Sequence, residues 1–202
     1  MSRRRTFAVV VLFAIGMWQI AAGGWIHAKA ALAQGLLAGA WTRAQLGISE
    51  PHPWPWADTW PVARLQAPRL SEDLLVLAGG SGRTLAFGPG HVDGTALPGG
   101  AGMSVIAGHR DTHFSFLRDL LPGDRLQVTG RDGGVTEYAV RTRHVVHKDR
   151  ARLAMDQRGL VLVTCYPFDA VTTGGPLRYV VLAEPVEPDR TMPMTTAAAP
   201  AR

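Results

Sequence analysis

At 202 residues with 47% hydrophobic side chains, the chain can close one ordinary core and shows no sign of a second. Its single cysteine, Cys165, excludes an internal disulfide framework, so the thiol needs another explanation. The net charge of +5 would suit a nucleic-acid partner, but Arg3, Arg4 and Arg5 supply three of those charges and the other basic residues form no aromatic-basic stripe, so that partner is not expected.

Residues 7–26, FAVVVLFAIGMWQIAAGGWI, carry no charge and match the roughly 20 residues with which a helix crosses a bilayer. The preceding RRR holds the N-terminus in the cytoplasm and sends everything after Ile26 outward. Ala28 and Ala30 form an A-x-A cleavage pattern, but secretory apolar cores usually run about 7 to 15 residues, so a retained anchor is the expectation. Residues 28–47 are rich in Ala and Leu, with Leu32, Leu36 and Leu37 at helical spacing, and read as a helical stalk. PHPWPWADTWP, residues 51–61, ends any helix, since proline removes donors and forces its predecessors into extended shapes. Trp54, Trp56 and Trp60 fit a ligand platform or membrane-surface anchors, but aromatic residues in a Pro-rich segment more often pack it on the adjoining domain, which is the expectation. The division is a cytoplasmic tip and anchor over 1–27, stalk and linker over 28–60, a domain over 61–188 and a disordered tail over 189–202.

Within the domain, LLVLAG, MSVIAG, RLQVTG, VTEYAVRTRHVV, GLVLVTC and LRYVVLAE have strand lengths, and GPG, PGG, PGD and GRDGG punctuate them. FSFLRDLLPGD and RARLAMDQ each read as a helical turn or crossing. Many short strands predict an all-β barrel or sandwich, and periodicity does not choose between them.

Cys165 closes the run GLVLVT just before Pro167, which cannot donate to a ladder. If the next strand-like run is its antiparallel neighbour, Arg178 faces Cys165 across the mouth of the loop. A fixed positive charge beside a thiol favours the nucleophilic thiolate, and a guanidinium can also hold an oxyanion. Attack on an amide further requires a proton donor for the leaving amine, usually histidine. His109 follows another strand-like run, with Gly108 permitting a sharp exit. His91 reads as a turn residue, His144 and His147 as surface residues of a long strand, and His113 also competes.

These residues give the sequence its resemblance to the sortases, membrane-anchored cysteine transpeptidases, over roughly Leu74 to Glu184. LVLVTCYP resembles the family's strand-to-cysteine motif, with the arginine 13 residues after the cysteine. GPGHVDGTALPGGAGMSVIAGHRD resembles the approach to the family histidine, and FLRDLLPGDRLQV the stretch after it. PWPWADTWPVARL and GHRDTHF look most like the branch of Gram-negative bacteria. The resemblance implies a closed β-barrel of about eight strands. It also implies that Cys165 attacks an LPXTG-like sorting signal to form a thioacyl enzyme, that His109 protonates the departing amine, and that Arg178 holds substrate and oxyanion. An envelope amine then takes the acyl group. Thr164 and Asp111 are candidates to contact substrate or orient His109.

The competing readings are another type of cysteine protease, or a non-catalytic envelope module on the same barrel. Caspases place their histidine upstream as here, but VTCYP lacks their Q-A-C-x-G signature. No cofactor is expected. A metal site on His109 and His113 is disfavoured because four-residue spacing helps only on a helix and no H-E-x-x-H motif occurs.

Overall fold

The computed structural model describes residues 3–152, 155–172 and 174–186. Helix α1 runs unbroken from Arg3 to Gln45. By length and composition its stretch Val10–Gln45 is a candidate membrane span, with a window of mean hydropathy 1.5 in which no residue is buried. Phe7, Leu12, Phe13, Trp18 and Ile20 all stand exposed.

The last turns of α1 do not form a free stalk. Ala33, Leu37, Ala40, Trp41 and Ala44 are buried, a stripe at helical spacing that packs on the first two strands. Of the three leucines expected to define the helix face, Leu37 is inside, whereas Leu32 and Leu36 point outward. Gln34 Nε2 donates to Phe87 O at 2.9 Å and Arg43 Nη2 to His52 O at 2.9 Å, clamping helix and linker to the barrel. In the linker, Trp54 meets Phe87 edge-on at 5.0 Å and Trp60 lies against the core, while Trp56 is 83% exposed and departs from the expected packing.

Eight strands come after the linker: β1 (Pro61–Ala67), β2 (Glu72–Ala78), β3 (Gly90–His91), β4 (Met103–Ala107), β5 (Arg125–Gly130), β6 (Val135–His147), β7 (Gly159–Cys165) and β8 (Leu177–Pro185). They close into a barrel in the order β1-β2-β3-β4-β7-β8-β6-β5, so no sheet edge is left open. All six expected strands are present; β1 and β3 are additional. A short helix α2 (Gly82–Leu85) precedes β3, and FSFLRDLLPGD contributes one 3-10 turn, Ser115–Asp119. The described parts of RARLAMDQ form turns without a helix. The tail expected over 189–202 lies outside the described residues.

The barrel interior holds Leu65, Val76, Ile106, Leu126, Tyr138, Leu160, Leu162 and Val181. A second cluster of Met103, Val105 and Val161, joined by Val163, Val180 and Leu182, covers the opposite face of β4, β7 and β8. β7 is therefore covered on both faces, which is why GLVLVT is a continuous apolar run instead of an alternating one.

Candidate active site

β7 lies between β4, which runs parallel to it, and β8, which runs antiparallel. Along β4 the pairing proceeds from Met103 opposite Gly159 to Ala107 opposite Val163. The ladder continues past the strand end, because Gly108 N donates to Val163 O at 3.0 Å. His109 is the next residue, two past the last paired residue of β4. On the other side, Cys165 pairs directly with Arg178, which in turn pairs with Val146 of β6. Cysteine and arginine thus form one row across adjacent strand ends, and the histidine follows the end of the strand on the other flank. By strand alternation Cys165 and Arg178 share the face of Val163 and Val180, outside the barrel.

Burial differs among the three residues. His109 is exposed, while the Cys165 thiol and Arg178 are half-buried. Arg178 Nη1 donates to Gly175 O at 2.6 Å and to Leu177 O at 2.8 Å, leaving Nε and Nη2 without a partner among the described residues. Such a fork is held in place and still has donors to offer an incoming carbonyl.

Thr164 is 2% exposed and has no face for a substrate. Its hydroxyl donates to Gly108 O at 2.7 Å, which ties the residue before the nucleophile to the residue before the histidine. Asp111 is exposed and makes no hydrogen bond or ion pair among the described residues. Gly108 is demanded by close approach: a Cβ there would lie 2.7 Å from the ring of Phe114, which is fully buried. The loop then closes on itself through Phe114 N to His109 O at 2.9 Å.

His113 is half-buried beside His109; burial first, and the neighbouring histidine second, push its pKa below the ordinary histidine value. His91, expected in a turn, is buried in β3, with Nε2 2.9 Å from Ala96 O and 3.0 Å from Thr95 Oγ1. His144 and His147 lie on β6 as expected, half-buried to exposed.

Arg110 is the residue that sequence reasoning passed over. It is 7% exposed, and its Nη2 donates at 2.7 Å to both Ala170 O and Thr172 O. One guanidinium therefore joins the histidine loop to the loop after the cysteine. An arginine in a polar segment reads as surface, and nothing in GHRD signals its burial. That second loop is further braced by Tyr166, Phe168 and Tyr179, whose rings lie 5.1 to 6.3 Å apart, and by Arg118 stacked over Phe168 at 5.2 Å.

A solitary thiol paired with an arginine on a closed eight-stranded barrel meets its match in a known family model, the sortase domain, which aligns with residues 65–186. The chain belongs to the sortase family. Sortase D of Bacillus subtilis (strain 168) is 32% identical over 124 residues, which are 60% of this chain and 62% of that protein, so this sortase spans less than two thirds of that relative's length. Among solved structures, a lid mutant of sortase A from Corynebacterium diphtheriae superposes with a TM-score of 0.58 at 25% identity, covering 79% of this chain and 96% of that one. Sortase C-1 from Actinomyces oris gives a TM-score of 0.54 at 31% identity over 63% of this chain and 75% of that one. The closed barrel is the one expected for sortases, which are cysteine transpeptidases.

Proposed function

We propose that this sortase is a membrane-anchored transpeptidase that cleaves an LPXTG-like sorting signal and transfers the acyl part to an amine of the envelope. The Cys165 thiolate adds to the carbonyl of the scissile amide, and the oxyanion draws on the free donors of Arg178. As the C–N bond breaks, His109 gives its proton to the leaving amine, and a thioester remains on Cys165. An incoming amine loses a proton to His109, attacks the thioester and expels the Cys165 thiolate, so the starting pair of thiolate and protonated imidazole is restored. Water in its place gives hydrolysis. Thr164 serves this chemistry as a positioning residue through Gly108, and Asp111 is retained as a candidate substrate contact at the open rim beside His109.

The observation that most supports the reading is the direct pairing of Cys165 with Arg178 on β7 and β8, together with a parallel β4 that ends two residues before His109 on the other flank of β7. The anchor is residues 7–26, the linker 28–60 and the catalytic domain 61–188, with RRR on the cytoplasmic side and the barrel on the extracytoplasmic side. PWPWADTWPVARL and GHRDTHF support membership of the Gram-negative branch.

The test is to incubate the full chain in detergent with a library of LPXTG-like peptides and a small amine, then read products and Cys165 by mass spectrometry. A thioacyl adduct on Cys165 that the amine discharges into a ligated product is the expected result. Cleavage without transfer to any amine would make the protein a protease, and no adduct on a thiol that iodoacetamide still alkylates would make the barrel a binding module.

A further inference from the structure

Beside α1 lies an open groove of about 710 Å³, lined by Lys29, Leu32 and Leu36 of the helix, Trp56 of the linker, and Arg83 with Asp58 at its rim. Its lining is mostly apolar, yet Trp56 is 83% and Leu32 64% exposed. An indole left almost wholly in water on a rigid, well-packed linker serves something other than the core.

The position of the groove indicates what covers it. Leu36, Leu32, Lys29, Trp25 and Trp18 succeed one another at three-, four- and seven-residue steps, so they form a single ridge along α1. Trp18 and Trp25 are 74% and 64% exposed on the apolar stretch, and the Lys29 ammonium sits 5.7 Å over the Trp25 ring. The groove is thus the upward continuation of the face that the apolar stretch would turn to lipid. At 1.5 Å per residue, Lys29 lies about 4.5 Å and Leu32 about 9 Å beyond Ile26 along an unbroken helix. Interfacial residues sink about 5–10 Å into the headgroup boundary, and tryptophan and lysine are the side chains that favour this layer. Lys29 and Arg83 provide two cations at the rim against one carboxylate, Asp58, which is 3.7 Å from Arg83.

We propose that this groove is a phospholipid-binding surface that seats the barrel on the leaflet beside it, with Trp56 in the interfacial layer and Lys29 and Arg83 at lipid phosphates. This inference rests on the membrane anchoring proposed above.

The full chain, with Cys165→Ala to remove the native thiol, is reconstituted in vesicles of phosphatidylcholine and phosphatidylglycerol with brominated acyl chains. A fluorophore is placed in turn at Asp58→Cys in the groove, Leu12→Cys in the apolar stretch and Val145→Cys, an exposed position of β6 toward the Cys165 end of the barrel. Lipid quenching at position 58 should be several-fold that at 145 and should fall several-fold on adding Trp56→Ala, with position 12 quenched throughout. Position 12 quenched but position 58 no more quenched than 145 overturns the groove while leaving the anchor intact. A label at 58 shielded from aqueous iodide yet untouched by bromolipid indicates a protein occupant, and also overturns it. Should position 12 escape quenching, the anchor fails and the groove proposal fails with it.

Discussion

The nucleophile strand has two unlike neighbours. On the β8 side, Cys165 and Arg178 are joined by a short antiparallel connection, and their pairing is a local matter of where a loop begins and ends. On the β4 side, the strand that leads to His109 pairs in parallel with residues 56 positions later in the chain. A parallel neighbour cannot be supplied by a hairpin, so this flank depends on the whole barrel closing in register. The difference also appears in the fastenings: the arginine side is held by two carbonyls within three residues, the histidine side by Thr164, Arg110 and the Phe114 contact.

Several substitutions set one flank against the other. On the proposed chemistry, His109→Ala should lower kcat/KM by about 10²–10⁴ and Arg178→Ala by about 10²–10³, measured by peptide ligation. If the two flanks act as one unit the double variant loses little beyond the worse single one, and full additivity would show two independent devices. Gly108→Ala drives a Cβ to 2.7 Å from the Phe114 ring and should cost about 1–3 kcal/mol in urea unfolding. Gly175→Ala on the other flank meets only Tyr166 O at 3.7 Å and should leave the midpoint unchanged; equal losses would erase the asymmetry. Arg110→Ala frees the carbonyls of Ala170 and Thr172, so amide exchange over 168–172 should accelerate and KM rise with kcat little altered.

The smallest expected effect concerns His113. Because its folded pKa lies below its unfolded one, the unfolded chain takes the proton first. Its contribution to stability is complete above about pH 6.5, the ordinary histidine value, and is lost as pH falls through the lower folded value. His113→Gln should flatten that part of the stability profile, and an unchanged slope would place the titration elsewhere.

Much of the barrel was legible because buried strands leave a mark. Runs such as MSVIA and GLVLVT are apolar on both faces, and Gly or Pro brackets them. β1 escaped notice because Arg64 and Gln66 break its apolar run, and β3 because two residues carry no period. At the site, Cys165 and Arg178 could be related by loop closure alone. His109 could be suspected from its strand end, but the strand before it meets β7 through a parallel pairing that no local pattern records, and the family resemblance supplied what spacing did not. Gly108 was noticed for the wrong reason, conformational freedom in place of a ring pressed on its Cα. Arg110 left no trace, since a buried guanidinium bonded to carbonyls resembles any other loop arginine in one dimension.

The continuity of α1 carries a geometric consequence. A rod without a joint transmits rotation as well as height, and each residue between Ile26 and the buried Ala33 turns the barrel above it by about 100° while lifting it about 1.5 Å. The compass bearing of the barrel about its own mast is therefore written in a residue count. Inserting one alanine after Ala28 would swing the Cys165 end by more than a quarter circle, whereas inserting seven would return it to within about 20° of its original heading.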